Sequence, residues 1–100
     1  MIELRNPTGR NTNAHIVTIN SNDYFFSYET CIAFRGSSAK QVLAVSGPAQ
    51  KVETTSVYHR VRLANHWGPT TGRHFRELGC GDFPIVSYEL FEEIVEGATN

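Results

Sequence analysis

An aromatic-rich run in the first third of the chain constrains the fold more than any other feature. Tyr24, Phe25, Phe26 and Tyr28 occur within five positions. Leaving so much ring surface in water is unfavourable, because aromatic side chains bury the largest apolar areas. The run continues to Arg35 with the period of two that is typical of a β-strand. We therefore predict one continuous strand from Tyr24 to Arg35 at the centre of a sheet.

Short segments with strand patterns flank this run. They are His15 to Ile19, Gln41 to Val45 and Lys51 to Leu63. Gly36 to Ala39 predicts a break between strands, and the short turns predict that neighbouring strands pair as an antiparallel meander. Residues 5–14 contain Pro7 and Gly9 and predict a loop, so residues 1–14 are expected to form a loose N-terminal arm.

Two helices are predicted in the last third of the chain. Pro69 ends the preceding segment, and Thr70 or Thr71 can cap a helix over residues 71–78 that Gly79 terminates. Ser87 can cap a second helix, and Gly97 is expected to end it. This second helix covers residues 88–96 and is amphipathic, so it needs an apolar surface such as one face of the sheet.

The predicted fold class is therefore α+β: a three- or four-stranded antiparallel meander with two C-terminal helices packed on it. One hundred residues correspond to a single domain, residues 1–100. The predicted core consists of Phe26, Tyr28, Ile32, Phe34, Val57, Val61, Leu63, Trp67, Leu78, Phe91 and Ile94.

Charge is divided unevenly along the chain. All nine Lys and Arg residues lie in residues 1–76 with only four acids, whereas residues 77–100 contain six acids and no base. No apolar run approaches the roughly 20 residues of a membrane helix, and the N-terminus lacks the pattern of a signal peptide. We expect a soluble, intracellular protein.

The two cysteines follow no metal-binding spacing. Cys31 lies in an apolar run and is predicted to be a small core residue, whereas Cys80 lies between two glycines and is predicted to be more exposed. The sequence leaves open whether Cys31 and Cys80 form a disulfide.

Two motifs resemble a family of small bacteriophage and prophage proteins. The first is Phe-Ser-Tyr-Glu-Thr-Cys-Ile-Ala-Phe over residues 26–34, and the second is Trp-Gly-Pro-Thr-Thr-Gly-Arg-His over residues 67–74, followed by Leu78. The Ser87 and Phe91 pair matches a third element of the family pattern. The chain departs from that pattern in its longer N-terminal segment and in Asn65-His66. The resemblance implies a viral origin, but no activity and no functional residue.

The sequence favours no catalytic or metal chemistry. Cys31, His59 and an acid, Asp23 or Glu29, could form a nucleophile and base only if the strands brought them together. His59, His66 and His74 lack the spacing of helical zinc ligands. We predict a protein that is not an enzyme and has no cofactor or metal.

Two surfaces of opposite charge are candidate binding sites. The first is the acidic side of the second helix, which could enter a basic channel of a partner by electrostatic complementarity; its residues are Glu89, Glu92, Glu93 and Glu96. The alternative is a basic surface for nucleic acid, with an anion at the start of the first helix; its residues are Arg60, Arg62, Trp67, Thr71, Arg73 and His74.

These patterns lead to one functional hypothesis and its alternative. We expect a phage-encoded, non-enzymatic accessory protein in the host cytoplasm, which binds and inhibits a host protein or protein–nucleic acid complex. A CRISPR–Cas or other defence complex is the specific expectation, and direct nucleic-acid binding is the alternative. An exposed edge strand would also permit a strand-paired homodimer.

Overall fold

The fold was obtained as a computed structural model that describes residues 2–5, 13–46 and 49–99, and the side chains of residues 13–39 and 55–98. The described strands form one antiparallel sheet in the order β1-β2-β3-β4-β5, followed by two helices. The elements are β1 (Ile2–Arg5), β2 (Ala14–Ile19), β3 (Asn22–Ser27), β4 (Thr30–Ser46), β5 (Ala49–Arg62), α1 (Pro69–Glu77) and α2 (Tyr88–Thr99).

The α+β class and the meander are confirmed. Strands β2 to β5 each pair with the next strand in the chain, and β1 adds to the outer edge of β2 with Ile2 opposite Ile19. The predicted N-terminal arm is therefore wrong for Ile2–Arg5, because its backbone is paired in the sheet. Ala14, at the end of the predicted loop, is the first residue of β2, and residues 6–12 lie outside the described residues.

The aromatic run is a hairpin and not one continuous strand. Strand β3 ends at Ser27 and β4 begins at Thr30, so Tyr28 and Glu29 form the turn. Tyr28 has a φ of 56°, which few bulky residues adopt. Its amide donates a hydrogen bond to the carbonyl of Asn13 at 2.6 Å, and this contact fixes the turn against the start of β2.

A β-bulge after the turn interrupts the period of two that the sequence shows between Tyr24 and Arg35. Phe25 pairs with Ala33 and Phe26 pairs with Cys31, so Ile32 is an extra residue in β4. Ile32 and Ala33 consequently contribute to the same core cluster as Phe25. The segment therefore contributes apolar side chains to both faces of the sheet, and the bulge places Ile32 and Ala33 on the same one.

The predicted break at Gly36 to Ala39 is also wrong. Strand β4 runs through it and through the separately predicted strand at residues 41–45. Gly36 has a φ of 156°, and a Cβ at this position would collide with the side chain of Asn22. The Asn22 Oδ1 atom accepts a hydrogen bond from the amide of Ser37 at 2.9 Å. Glycine thus permits a close approach of β3 within the strand.

The two helices cover opposite faces of the sheet, which we name the α1 face and the α2 face. The α1 face has a core of Ala14, Ile16, Phe25, Ile32, Ala33, Phe75, Leu78, Cys80 and Phe83. The α2 face has a core of Tyr24, Phe34, Val61, Leu63, Phe91 and Ile94. Because the sheet is covered on both sides, the small chain builds two thin apolar layers.

The predicted core is correct for seven residues: Ile32, Phe34, Val61, Leu63, Leu78, Phe91 and Ile94 are buried. Phe26 is only partly buried, where it packs against the core of the α2 face. Tyr28, Val57 and Trp67 are exposed, which corrects the prediction for them. Tyr28 lies in the hairpin turn, and Trp67 lies in the loop that precedes α1.

The start of α1 differs from the prediction, whereas the end of α1 and the start of α2 agree with it. Within the described residues no side chain caps α1, whose N-cap is Gly68, because the Thr71 side chain is buried and contacts Ser27. Gly79, with a φ of 75°, ends this helix as predicted. The hydroxyl of Ser87 accepts the amide of Leu90 at 3.2 Å and caps α2 as predicted.

Helix α2 continues beyond its predicted end. Gly97 lies inside it, packed against β4 so closely that a Cβ would lie 2.5 Å from the carbonyl oxygen of Ala39 and would also collide with the Ser38 hydroxyl. This glycine therefore serves helix–sheet packing and not helix termination. In the described part of the chain, neither helix has the length and apolar character needed to cross a membrane.

Candidate partner-binding site

Helix α2 is fixed to the sheet along one side. Phe91 and Ile94 are buried against the α2 face, and the Ser38 hydroxyl donates a hydrogen bond to the carbonyl of Ile94 at 2.6 Å. Close packing at Gly97 extends the contact to the C-terminal half of the helix. The opposite side of α2 is consequently held facing solvent in one orientation.

The four predicted partner-binding glutamates lie on this outer side. Glu89, Glu92, Glu93 and Glu96 are all exposed. Among the side chains that the structure describes, no Lys, Arg or His forms an ion pair with Glu89, Glu92 or Glu93; the described ion pairs involve Asp23, Asp82 and Glu77 instead. The acidic side of α2 therefore presents negative charge outward.

A groove of about 550 Å³ runs along one flank of α2, and we name it the α2 groove. Its floor and walls come from β4, from Leu63 directly after β5, from the loop before α1 and from α2 itself. The lining residues are Thr30, Cys31, Leu63, Trp67, Tyr88, Phe91, Glu92, Val95 and Glu96. The groove thus combines aromatic and aliphatic walls with two of the four glutamates.

The loop that carries Trp67 is held in place by Asn65. The Asn65 Oδ1 atom accepts hydrogen bonds from the amides of Trp67 at 3.1 Å and Gly68 at 3.2 Å, and its Nδ2 donates to the Gly68 carbonyl at 3.0 Å. The indole is 42% exposed and stacks on His66 with ring centroids 4.2 Å apart. A large ring is therefore presented at the edge of the groove by an ordered turn.

Tyr88 stands on the helix side of the groove. A side-chain hydrogen bond to Glu92 raises the pKa of the Tyr88 hydroxyl, and the negative charge of that carboxylate adds to the effect. The contact links an exposed ring to one of the groove carboxylates. Sequence reasoning missed Tyr88 and Asn65 as site residues; the Asn-x-x-Gly-Pro spacing was the available signal for the turn.

Two arginines of the alternative basic surface are held on the α1 face. Arg60 forms an ion pair with Asp82 at 3.2 Å, and its guanidinium lies over the ring of Phe83. Arg62 donates to the carbonyls of Leu63 and Gly81, and its guanidinium carbon lies 3.8 Å from the ring centroid of Phe75. Each guanidinium is thus held against an aromatic ring, and it bonds within the protein through one nitrogen in Arg60 and through two in Arg62.

The start of α1 does not form the anticipated anion site from its side chains. Thr71 and His74 are buried, and both side chains contact the hydroxyl of Ser27. Arg73 is exposed and lies 3.7 Å from Glu77 of its own helix. Trp67 lines the α2 groove and also, together with Thr70 and Thr71, a second pocket of about 340 Å³. Of the six residues of the basic alternative, Thr71 and His74 are buried and Arg62 is half-buried, whereas Arg60, Trp67 and Arg73 are exposed.

The cysteine predictions are reversed. Cys80 is fully buried in the core of the α1 face, whereas Cys31 is partly buried and lines the α2 groove. Burial raises the pKa of both thiols to about 12, which makes each a poor nucleophile. Both are free thiols on opposite faces of the sheet, which answers the question of a disulfide.

Of the residues considered from the sequence for catalysis, Asp23 and Cys31 lie on opposite faces of the sheet. Asp23 is engaged by Arg35 at 2.6 Å, next to the ring of Phe25 on the α1 face, whereas Cys31 packs on the α2 face. The buried Ser27, Thr71 and His74 cluster instead joins β3 to α1.

Comparison with known proteins adds no relative from which a role could be transferred. No protein-family model matches the chain, no curated protein matches it, and no solved structure matches it.

Proposed function

We propose that this chain is a non-enzymatic binding protein whose outward side of α2 engages a positively charged surface of a host macromolecule. The observation that carries the proposal is the arrangement of α2: one side is fixed to the sheet, and Glu89, Glu92 and Glu93 on the other have no cationic partner among the described side chains. A rigid row of carboxylates steers and orients a basic partner.

The cost of this charge arrangement supports the proposal. Glu89 and Glu93, and likewise Glu92 and Glu96, are like-charged pairs four residues apart on one helix. Each such pair destabilises a helix by about 0.2–0.5 kcal/mol. A basic partner would relieve this repulsion. The repulsion energy present in the free protein would therefore favour binding.

The resemblance to phage proteins directs the choice of partner. A phage protein with an acidic, preformed helix is suited to the basic channels in which defence complexes such as CRISPR–Cas hold nucleic acid. We therefore propose inhibition of such a host complex in the cytoplasm as the biological role. Direct nucleic-acid binding is less supported, because Arg60 and Arg62 are engaged internally while Thr71 and His74 are buried.

Capture from nuclease-treated bacterial lysate tests the proposal. Two single variants provide a matched comparison: Glu93→Lys reverses a carboxylate on α2, and Glu29→Lys reverses an exposed carboxylate in the β3–β4 turn. We expect wild type and Glu29→Lys to capture a partner at low salt, whereas Glu93→Lys should not capture it.

Two outcomes would contradict the proposal. Equal capture by all three proteins would show that α2 is not the contact surface. Capture that disappears with nuclease, together with a salt-sensitive mobility shift of DNA by the purified protein, would support the nucleic-acid alternative instead.

A further inference from the structure

The α2 groove has features that an acidic helix alone does not require. Its edge carries an exposed indole held by a three-bond turn, and its helix side carries an exposed phenol joined to a carboxylate. We propose that this groove binds an arginine side chain of the partner. The inference rests on the proposed function and names the group that the site recognises.

The apolar lining fits the aliphatic part of such a side chain. Leu63 and Phe91 are buried at the base of the groove, and Val95 is partly buried beside them. The methylene groups of arginine gain from contact with such a surface while the charged head stays at the edge. A wholly acidic or hydroxyl-bearing ligand would gain nothing from these walls.

The edge of the groove fits the guanidinium group. Trp67 and Tyr88 offer two exposed aromatic faces, on which a planar cation stacks. Glu92 and Glu96 line the same groove and supply carboxylate acceptors. Arginine is favoured over lysine, because its planar fork can stack on a ring and pair with a carboxylate at the same time.

The site is preorganised, which reduces the entropy lost on binding. Asn65 fixes the backbone at Trp67 and Gly68, and the His66 ring stacks on the indole. The volume of about 550 Å³ exceeds one side chain and leaves space for the residues that flank the arginine. The expected ligand is therefore a short arginine-bearing segment of a protein.

Trp67 is the only tryptophan of the chain, so its fluorescence reports on the groove directly. The experiment titrates the purified protein with a capped Gly-Arg-Arg-Gly peptide and with its Gly-Lys-Lys-Gly counterpart at low salt. Two double variants are compared by calorimetry: Glu92→Gln/Glu96→Gln removes the groove carboxylates, and Glu89→Gln/Glu93→Gln removes the two outside it.

The expected result is a change in Trp67 emission with the arginine peptide, weaker binding of the lysine peptide, and an affinity loss of about tenfold for the groove pair, the size of a lost charge-assisted hydrogen bond. The outer pair should lose about twofold to threefold, as expected for screened surface charge. Trp67→Phe should retain more affinity than Trp67→Ala.

Equal losses for the two double variants, or binding without any change at Trp67, would overturn the groove assignment and leave the proposed function standing. Absence of arginine-peptide binding by wild type would also overturn it. Failure of the proposed function is separate: it would be seen as partner capture from lysate that is unaffected by Glu93→Lys.

Discussion

The hydroxyl of Ser27 lies 2.6 Å from Nδ1 of His74 and joins the last residue of β3 to the middle of α1. The Thr71 hydroxyl lies 3.2 Å from the same Ser27 oxygen, and the His74 side chain is fully buried. A buried polar group without a partner costs considerably more than its hydrogen bond contributes. This cluster therefore fixes how α1, and the Trp67 loop before it, sits on the sheet.

Ser27→Ala is expected to lower the free energy of unfolding by about 1–3 kcal/mol, because Nδ1 of His74 loses its buried partner. The measurement is urea denaturation followed by circular dichroism. Ser37→Ala, at an exposed position on β4, is the matched control and should change the free energy by less than about 0.5 kcal/mol. Similar values for both variants would refute the role of the cluster.

Stability should fall as the pH drops below the ordinary histidine value. Burial, aided by the charge of Arg73 and opposed by that of Glu77, lowers the pKa of His74 below 6.5 in the folded protein. The unfolded chain then binds more protons, so the contribution is complete above pH 6.5 and is lost as the pH falls towards the folded pKa.

The comparison of wild type with His74→Asn isolates this effect, because the amide can bond to Ser27 but does not titrate. Unfolding free energies are measured from about pH 7.5 down to about pH 5, a range that brackets the ordinary pKa of histidine. As the pH falls, the free energy should decline more steeply for wild type than for the variant, because the carboxylates contribute equally in both proteins. Parallel curves would mean that His74 is not desolvated.

Gly97→Ala is expected to destabilise the protein, although alanine favours a helix by about 1 kcal/mol over glycine. A Cβ at this position would lie 2.5 Å from the carbonyl oxygen of Ala39 and would force α2 away from β4. Thermal unfolding of this variant should be compared with Glu93→Ala, a change on the exposed side of the same helix. A higher melting temperature for Gly97→Ala would show that the contact is absent.

Removing like charge from α2 should stabilise the free protein while it weakens binding. Glu93→Gln is expected to raise the free energy of unfolding by about 0.2–0.5 kcal/mol, because it removes the repulsion with Glu89. Glu89 itself is kept, because it lies in the first turn of α2, where the helix dipole favours a carboxylate. The effect should be larger at low salt, because screening already reduces repulsion between exposed charges. A loss of stability in the same urea titration would indicate that the Glu93 carboxylate has a stabilising partner in the fold.

The sequence predicted the parts of the fold that depend on local pattern. The amphipathic pattern of α2, its cap at Ser87 and the end of α1 at Gly79 all agree with the structure. The hairpin at Tyr28 and Glu29 was missed because neither residue has the chemistry that favours such a turn. The bulge at Ile32 was missed because no glycine marks it in the sequence.

The groove could not be predicted because its parts come from distant positions. Trp67 reaches it from the loop before α1, while Tyr88 and Glu92 reach it from α2. Whether these residues come together depends on which face of the sheet each helix covers. The bulge at Ile32, which the sequence does not predict, changes which side chains lie on each face. The outward position of the four glutamates, by contrast, follows from helical period alone.

The most direct test of the account is an amide chemical-shift map of the protein during titration with the arginine peptide or an isolated partner. Because the two helices lie on opposite faces of the sheet, the two candidate surfaces give separate sets of signals, except for Trp67, which belongs to both. We predict changes at the amides of residues 88–96 and at the Trp67 indole, with the amides of Arg60, Arg62 and Arg73 unchanged. Changes confined to those three arginines and their neighbours would contradict the central claim.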